Sequence, residues 1–389
     1  MCDNRSHTNC IIFNIKSMKL FVSLENQETE NRVSITPEIS KKFIALGHEV
    51  IIENNAGKNA GFENDEYEKN GAKIGSEKDI KFADVIFSIN PLTASKIKHI
   101  QDEAIIIGTQ DPFNNSDNIK LFQKKNITSF ALNLIPRTTR AQYMDVLSSQ
   151  ASLAGYKAVI EAAHIFNRGF PLMMTTAGTI PAAKVLIIGA GVAGLQAIAT
   201  AKRLGAIVSA FDVRSSAKEQ VESLGAKFIE VENSEKVDGV YAKEMSDDYK
   251  KAQEMKLRSV LPNQDIVITT AQIPGKRAPV IIKNDMIETM KKGSLIIDLA
   301  SKTGGNCEIT KPEKIIEKSG VKIIGFDNIL NLISYDASKL FAKNMFAFFE
   351  LLLQRLKEFP DISEIDDEII KGTLLTHNGK IINERFGGK

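Results

Sequence analysis

The strongest constraint on this chain is the run Gly189-Ala190-Gly191-Val192-Ala193-Gly194. Three glycines at that spacing say little alone. Here they follow the apolar run KVLII and open the amphipathic run AGLQAIATAKRLG. A second apolar run, IVSAF, then ends at Asp212, 18 residues beyond Gly194. Strand, glycine turn, helix and strand in that order form a βαβ unit with a dinucleotide-binding fingerprint. Gly189 permits the tight turn, Gly191 lets the backbone approach a pyrophosphate, and Gly194 lets helix and strand pack closely. The helix start offers free N–H groups and a positive dipole end to phosphates. Asp212 is placed to accept hydrogen bonds from ribose hydroxyls and to repel a 2′-phosphate, which predicts NAD(H) over NADP(H). Arg214 beside it softens that preference. Ala190, Val192, Ala193 and Val213 complete the two stretches expected to line the nucleotide.

The rest of the chain repeats the same alternation. From Met18 the runs MKLFVSL, HEVIIE, ADVIFSI, AIIIGT and ITSFALN are separated by helical segments, one opening at Thr36-Pro37. From Lys184 a second series gives KVLIIG, IVSAFD, KFIEV, DIVITTA, GSLIIDLA and VKIIGFD. The expected fold is α/β, with two doubly wound parallel-sheet (Rossmann-like) domains joined by long helices. The spacing predicts one long helix over 145–168 and another over 337–359, the latter returning to the first domain. The expected division is an extension over 1–17, a discontinuous first domain of 18–144 plus 335–389, and a nucleotide-binding domain of 145–334. KGTLLTHNGKII (371–382) reads as a hairpin around Asn378-Gly379. The polar stretch 232–251 reads as a surface loop leading into a helix.

Composition narrows the function. Of 389 residues, 50 are Lys or Arg and 48 Asp or Glu, so the net charge of +2 gives no case for nucleic-acid binding. Three cysteines cannot form a disulfide framework, and five scattered histidines offer little for a metal site. No apolar run approaches the roughly 18–20 residues of a membrane span.

Two further clusters carry hydrogen-bonding groups. Arg137, Arg140, Gln142, Asp145 and Ser148 crowd the start of the long helix, at the junction of the two β/α series. They suit a cleft site equally with a plain helix cap at Asp145 and solvated arginines. Thr270 and Ala271 end the run DIVITTA, at a carboxyl end where doubly wound folds bind ligands. Cys307 has no local histidine partner and reads as an inert thiol.

The runs RAQYMDVLSSQASLAGYKAVIEAA, GAGVAGLQAIATAKRLGA, KEQVESLGAKF, YAKEM, TTAQIPGK, IIDLA with GGNC, and DASKLFAKN are specific. From Met18 to its end the chain resembles the NAD(H)-binding alpha component of proton-translocating NAD(P) transhydrogenases, a family similar in fold to alanine dehydrogenase. The resemblance implies a soluble, homodimeric subunit. Hydride would pass between its NAD(H) and NADP(H) on a separate NADP(H)-binding component. A membrane-spanning component would couple this to proton translocation, holding the subunit on the cytoplasmic, inner face of the cell membrane. It further implies that Arg137, Asp145 and Ser148 orient the nicotinamide carboxamide and that Gln142 reaches the partner's NADP(H). Tyr241 would sit on a mobile lid over the nucleotide. The first domain departs most from the family. Ser88-Ile-Asn90-Pro91 lacks a basic residue before the proline, Gly108-Thr-Gln-Asp-Pro112 replaces a histidine-containing turn, and Asn328-Ile-Leu-Asn-Leu replaces an Asn-x-Pro-Ser-like segment. An alanine dehydrogenase and a non-catalytic NAD(H) sensor are the competing readings.

Overall fold

The computed structural model describes residues 17–231 and 247–387. The chain up to Gln150, together with Ser334 onward, forms one compact unit, and Ala151–Ile333 forms the other. Each is built on a mainly parallel sheet, the doubly wound α/β class expected from the alternation of strands and helices.

In the first unit, β1 (Lys19–Val22), β2 (Glu49–Glu53), β3 (Lys73–Gly75), β4 (Val85–Phe87), β5 (Ile105–Gly108) and β6 (Thr128–Ala131) run parallel. Their order across the sheet is β6-β5-β4-β1-β2-β3. Ile105, Ile106 and Ile107 are all fully buried, because helices cover both faces and leave no solvent side. The chain winds one way through β1, β2 and β3 and the other way through β4, β5 and β6. The topological switch point therefore lies between neighbours β1 and β4. The three-residue β3 is too short to announce itself in the sequence.

The end of the chain completes this sheet. The helix Ser334–Glu358 buries Ala337, Phe341, Met345, Phe348, Leu352 and Leu356, one stripe at three- and four-residue spacing. Phe349 meets Phe43 and Phe87 edge-on at 5.3 and 5.5 Å, and Phe348 meets Phe130 at 5.3 Å. Then β16 (Leu374–His377) pairs antiparallel with β6, and β17 (Lys380–Ile381) pairs antiparallel with β16. Asn378 and Gly379 have φ of 47° and 69°, the left-handed pair that a two-residue hairpin turn needs. Residues 371–373, expected in the hairpin, belong instead to the helix Glu368–Thr373. The Asp367 carboxylate caps it by accepting from the N–H groups of Ile369 and Ile370.

The first strands of the second unit form the small hairpin β7 (Met173–Thr175) and β8 (Gly178–Ile180). Its main sheet holds β9 (Lys184–Ile188), β10 (Ile207–Phe211), β11 (Lys227–Phe228), β12 (Ile266–Thr269), β13 (Leu295–Asp298), β14 (Ile315–Lys318) and β15 (Val321–Gly325). The order is β11-β10-β9-β12-β13-β15-β14, parallel except for β14. Neither β14 nor the hairpin is evident in the sequence. β14 is a short antiparallel edge strand ending in Glu317 and Lys318, the kind of charged edge that resists further pairing.

The helix expected over 145–168 spans Val146–Ile165, preceded by a 3-10 turn over Thr139–Met144. His164 on it is exposed. The helix expected after the polar stretch is Asp247–Val260. Residues 232–246, including Tyr241, lie outside the described residues, as do residues 1–16. Among the described residues no helix is long and apolar enough to cross a membrane.

Candidate functional site

The glycine turn carries the clearest geometry. β9 ends at Ile188, and Gly189 takes φ of 98°, a conformation closed to most side chains. The helix Val192–Arg203 begins immediately after Gly191. A Cβ added to Gly194 would stand 1.8 Å from the Gly189 carbonyl oxygen, so helix and turn touch backbone to backbone. A Cβ added to Gly191 would meet nothing within 4 Å. That open face lies beside the first turn of a helix, whose N–H groups have no acceptor within the helix and suit an anion.

Asp212 follows β10, and its carboxylate accepts four hydrogen bonds, two of them from the Arg214 side chain, whose place ribose hydroxyls would have to take. It accepts from the Ala190 N–H at 2.7 Å, the Arg214 N–H at 2.8 Å, and Arg214 Nε and Nη2, each at 2.9 Å. The hydrogen bonds that Arg214 donates to Asp212 are the largest influence holding the Arg214 pKa above its ordinary value. The acidic residue is thus joined to the glycine turn through Ala190, and a guanidinium covers it. Thr270 donates to the Gly189 carbonyl at 3.1 Å, which supports the turn from below. Both backbone polar groups of Ala271 are taken by Asn306: its N–H donates to Oδ1 at 3.0 Å and its carbonyl accepts from Nδ2 at 2.9 Å.

Three supporting residues are given no supporting contact by the sequence, although Asn306 stands in the loop 301–307, which the sequence offers as a further ligand-binding place. Asn306 is fully buried, and its own N–H donates to Asp298 at 2.8 Å. Asp298 also accepts from Thr269, Ala300, Cys307 and Thr310, so one buried carboxylate ties the loops after β12 and β13 together. Gly155 is the third: a Cβ there would stand 2.0 Å from the Ala193 carbonyl oxygen, so its helix presses on the first turn of Val192–Arg203. The GGNC and LAGY runs contain Asn306 and Gly155, yet only the fold shows what they touch. Cys307 is buried, and burial pushes its thiol up to about 11, which suits an inert thiol.

In the first unit, Asp145 accepts from the Ser148 N–H at 2.9 Å and from its hydroxyl at 2.5 Å. It caps the helix Val146–Ile165, so the plain capping role is present whatever else Asp145 does. Arg137 and Gln142 are exposed. Arg140, for which free solvation was one expectation, is held instead by Asp367 at 2.9 Å through both terminal nitrogens. Among the described residues no group of three or more His, Cys, Asp or Glu is arranged to hold a metal ion.

The departures in the first unit meet at its switch point. Glu25, after β1, accepts from the N–H groups of Ile89 at 2.6 Å and Asn90 at 3.2 Å, after β4. Asn90 bridges it to Glu30, which also binds Arg32 Nε at 2.8 Å, while Arg32 Nη1 reaches Gln150 at 2.8 Å. Burial, and then the charge of Glu30, push the Glu25 carboxyl up to about 7 against the N–H bonds it accepts. The folded protein thus keeps this proton up to about pH 7, whereas the unfolded chain loses it near 4.3. The stability linked to it is fully present below that lower value and is lost as pH rises through 7. Glu25→Gln removes the titration. Its melting temperature relative to the parent is therefore expected to rise between pH 5 and pH 8.5, by the equivalent of roughly 2–3 kcal/mol. A pH-independent difference between the two would refute this.

Comparison with known proteins decides the family. The model of the alanine dehydrogenase/PNT N-terminal domain matches residues 21–154, and that of the C-terminal domain matches residues 158–384. The chain belongs to the alanine dehydrogenase/PNT family. It is 46% identical over 374 residues to an NAD(P) transhydrogenase subunit alpha polypeptide of Rickettsia prowazekii, covering 94% of this chain and 96% of that one. It is 44% identical over 383 residues to the protein of the same name from Rhodospirillum rubrum, covering 96% and 100%. The solved transhydrogenase structure from Sinorhizobium meliloti superposes with a TM-score of 0.83 at 43% identity, covering 95% and 100%. Within the family this chain is therefore a transhydrogenase component.

Proposed function

We propose that this chain binds NAD(H) and passes hydride directly between NAD(H) and NADP(H), the latter held by a separate NADP(H)-binding component. In this reading a membrane-spanning component couples transfer to proton translocation and holds the chain on the cytoplasmic, inner face of the cell membrane. The observation that carries the reading is the glycine turn. Gly189 is at positive φ, the Gly191 face is open, and Asp212 is bonded to Ala190 at the end of β10. When bound, the nicotinamides supply the hydride chemistry. The chain's own role is to bind, orient and exclude water, for which no side-chain acid or base is needed. Arg137, Asp145 and Ser148 would fix the carboxamide end of NAD(H), Gln142 would reach the partner's nucleotide, and Tyr241 would close the lid. Thr270 and Ala271 complete the proposed floor.

The hairpin β7–β8 supports the homodimer. Its strands are exposed throughout, and Leu172, Met173, Met174 and Ile180 present apolar surface. A two-stranded hairpin is marginal alone, so a second copy of this chain is the proposed cover. Sedimentation of the parent as a monomer would refute it.

Nucleotide choice tests the reading. The parent is expected to bind NADH better than NADPH. Asp212→Ala should weaken NADH by roughly 1–3 kcal/mol, the scale of lost charge-assisted hydrogen bonds. It also removes the carboxylate that covers the 2′ side beside Arg214, so discrimination against NADPH should shrink. Equal affinities in the parent, by titration calorimetry, would overturn the assignment.

An alanine dehydrogenase, by family resemblance, needs a lysine on the strand β4 segment and a histidine on the next. This chain has Ile89 and Gln110 in those segments, and Arg32 is bonded to Glu30 and Gln150. Turnover with pyruvate and ammonia would nevertheless indicate that enzyme. Tight NADH binding with no transfer in any reconstituted mixture would indicate a sensor.

A further inference from the structure

Gln142 stands exposed on the 3-10 segment Thr139–Met144, in which Ala141 is the one fully buried residue. Ala141 packs into the first unit's core and Met144 partly against it, so apolar contacts hold the inner side of the turn. Polar anchors lie on either side. Two residues before Gln142, Arg140 donates Nη1 and Nη2 to the two carboxylate oxygens of Asp367, both at 2.9 Å, in the forked geometry that fixes direction as well as distance. Asp367 is buried, caps the helix Glu368–Thr373 and takes a further bond from Arg355 Nε at 3.2 Å. One residue after Gln142, the Tyr143 carbonyl accepts from Asn344 Nδ2 at 2.7 Å. The other end of that amide, Oδ1, accepts from Ser149 Oγ at 2.7 Å. The Tyr143 side chain is 80% exposed, so the carbonyl bond, not ring packing, holds this point.

We infer that Asp367 and Asn344 are positioning residues: the C-terminal segment sets the backbone that presents Gln142, through Arg140 on one side and the Tyr143 carbonyl on the other. The inference rests on the reading above, in which Gln142 takes part in transfer between two nucleotides. Where apposition is the main catalytic device, a displacement of about 1 Å costs on the order of a hundredfold. A long side chain on an unanchored turn would spread over more than that. Asp367 and Asn344 are both buried, at 3% and 8% exposure, so neither is placed to touch a partner protein directly.

The experiment compares Arg140→Ala, Asp367→Asn and Asn344→Ala with the parent and Gln142→Asn. Asparagine is itself a good helix cap, so Asp367→Asn removes the ionic clamp while keeping the cap. Arg140 is half exposed, so Arg140→Ala carries small folding risk. Three readouts are taken: melting temperature, NADH affinity, and single-turnover transfer from NADH to an NADP analogue, with the NADP(H)-binding component of a related transhydrogenase. Each of the three variants is expected to lose at least tenfold in transfer, with NADH affinity within about threefold of the parent. Gln142→Asn should cost less in the Arg140→Ala background than alone, since the two act on one geometry. Parent-like transfer in both Arg140→Ala and Asp367→Asn, with Gln142→Asn still slow, overturns the positioning role and leaves the transfer reading standing. Parent-like transfer in Gln142→Asn removes Gln142 from the transfer site and overturns the positioning role with it, while hydride transfer by the chain stands. Equal losses in affinity and transfer, tracking the melting temperature, would mean that these residues serve stability alone and would also overturn the proposal.

Discussion

Gly194→Ala is expected to abolish measurable NADH binding and to lower the melting temperature, while Gly191→Ala should abolish binding and leave the melting temperature nearly unchanged. The two glycines stand three residues apart in one turn but fail for different reasons. At Gly194 the added methyl would lie 1.8 Å from the Gly189 carbonyl oxygen and 2.8 Å from its carbon, both backbone atoms with no rotamer to change. The helix Val192–Arg203 must move away from β9, and overpacking of this kind costs about 3 kcal/mol. For a unit of this size that corresponds to a fall of roughly 6–12 °C. Moving the helix also withdraws its first N–H groups from the phosphate position, so affinity falls with stability. At Gly191, φ is −77° and ψ −168°, ordinary extended backbone, and the methyl meets nothing within 4 Å. The free protein should accept it. The only thing displaced is whatever approaches that open face, which under the proposed function is the pyrophosphate. Differential scanning fluorimetry and NADH titration on both variants make the check. A Gly191→Ala protein that binds NADH like the parent would remove the turn from the nucleotide site. A Gly194→Ala protein as stable as the parent would show that the helix yields more easily than its packing indicates.

The turn is legible in the sequence because its constraints are local. Six consecutive residues fix the positive φ at Gly189, the open side at Gly191 and the close packing at Gly194, and the apolar runs on either side name their own secondary structure. Asp212 is legible for the same reason, since one helix and one turn separate it from the glycines. What holds these parts in place is not legible. Gly155 touches Ala193 from another helix, and Asn306 grips Ala271 from 35 residues away. Arg140 and Asp367 are separated by 227 residues. No periodicity reports such pairs, because each depends on how distant elements stack. Arg140 reads equally as a cleft residue or a solvated arginine until the fold brings a buried carboxylate to it. Short elements are hidden for a different reason. β3 and β14 have three and four residues, too few for alternation to stand out, and their pairing is set by the longer strands beside them. The departures at Ser88–Asn90 and at Gln110 are visible in the sequence as missing basic residues. What surrounds them, a hydrogen-bonded cluster of Glu25, Glu30, Arg32 and Asn90 beside buried Ser88 and Gln110 side chains that lack partners among the described residues, is visible only in the structure.

Gln142→Asn is expected to lower hydride transfer by about two orders of magnitude while changing NADH affinity little. The substitution keeps the amide and shortens the side chain by one methylene, so it alters reach and leaves chemistry intact. Gln142 is exposed, and its backbone lies between two anchored neighbours, Arg140 and Tyr143. The shorter side chain therefore has no reason to disturb the fold, and the melting temperature should stay within a degree or two of the parent. NADH affinity should persist as well, because the proposed grip on that nucleotide lies with the glycine turn, Asp212, Arg137, Asp145 and Ser148. Transfer is the step that needs the two nicotinamides apposed, and there a misplacement of about 1 Å is worth on the order of a hundredfold. Stopped-flow transfer from NADH to an NADP analogue, with and without the NADP(H)-binding component, separates the possibilities. The parent should transfer only when that component is present. A Gln142→Asn protein that binds NADH weakly would place Gln142 against its own nucleotide instead of the partner's. One that transfers at the parent rate would remove it from the site, even though the chain's place in the transhydrogenase family would stand.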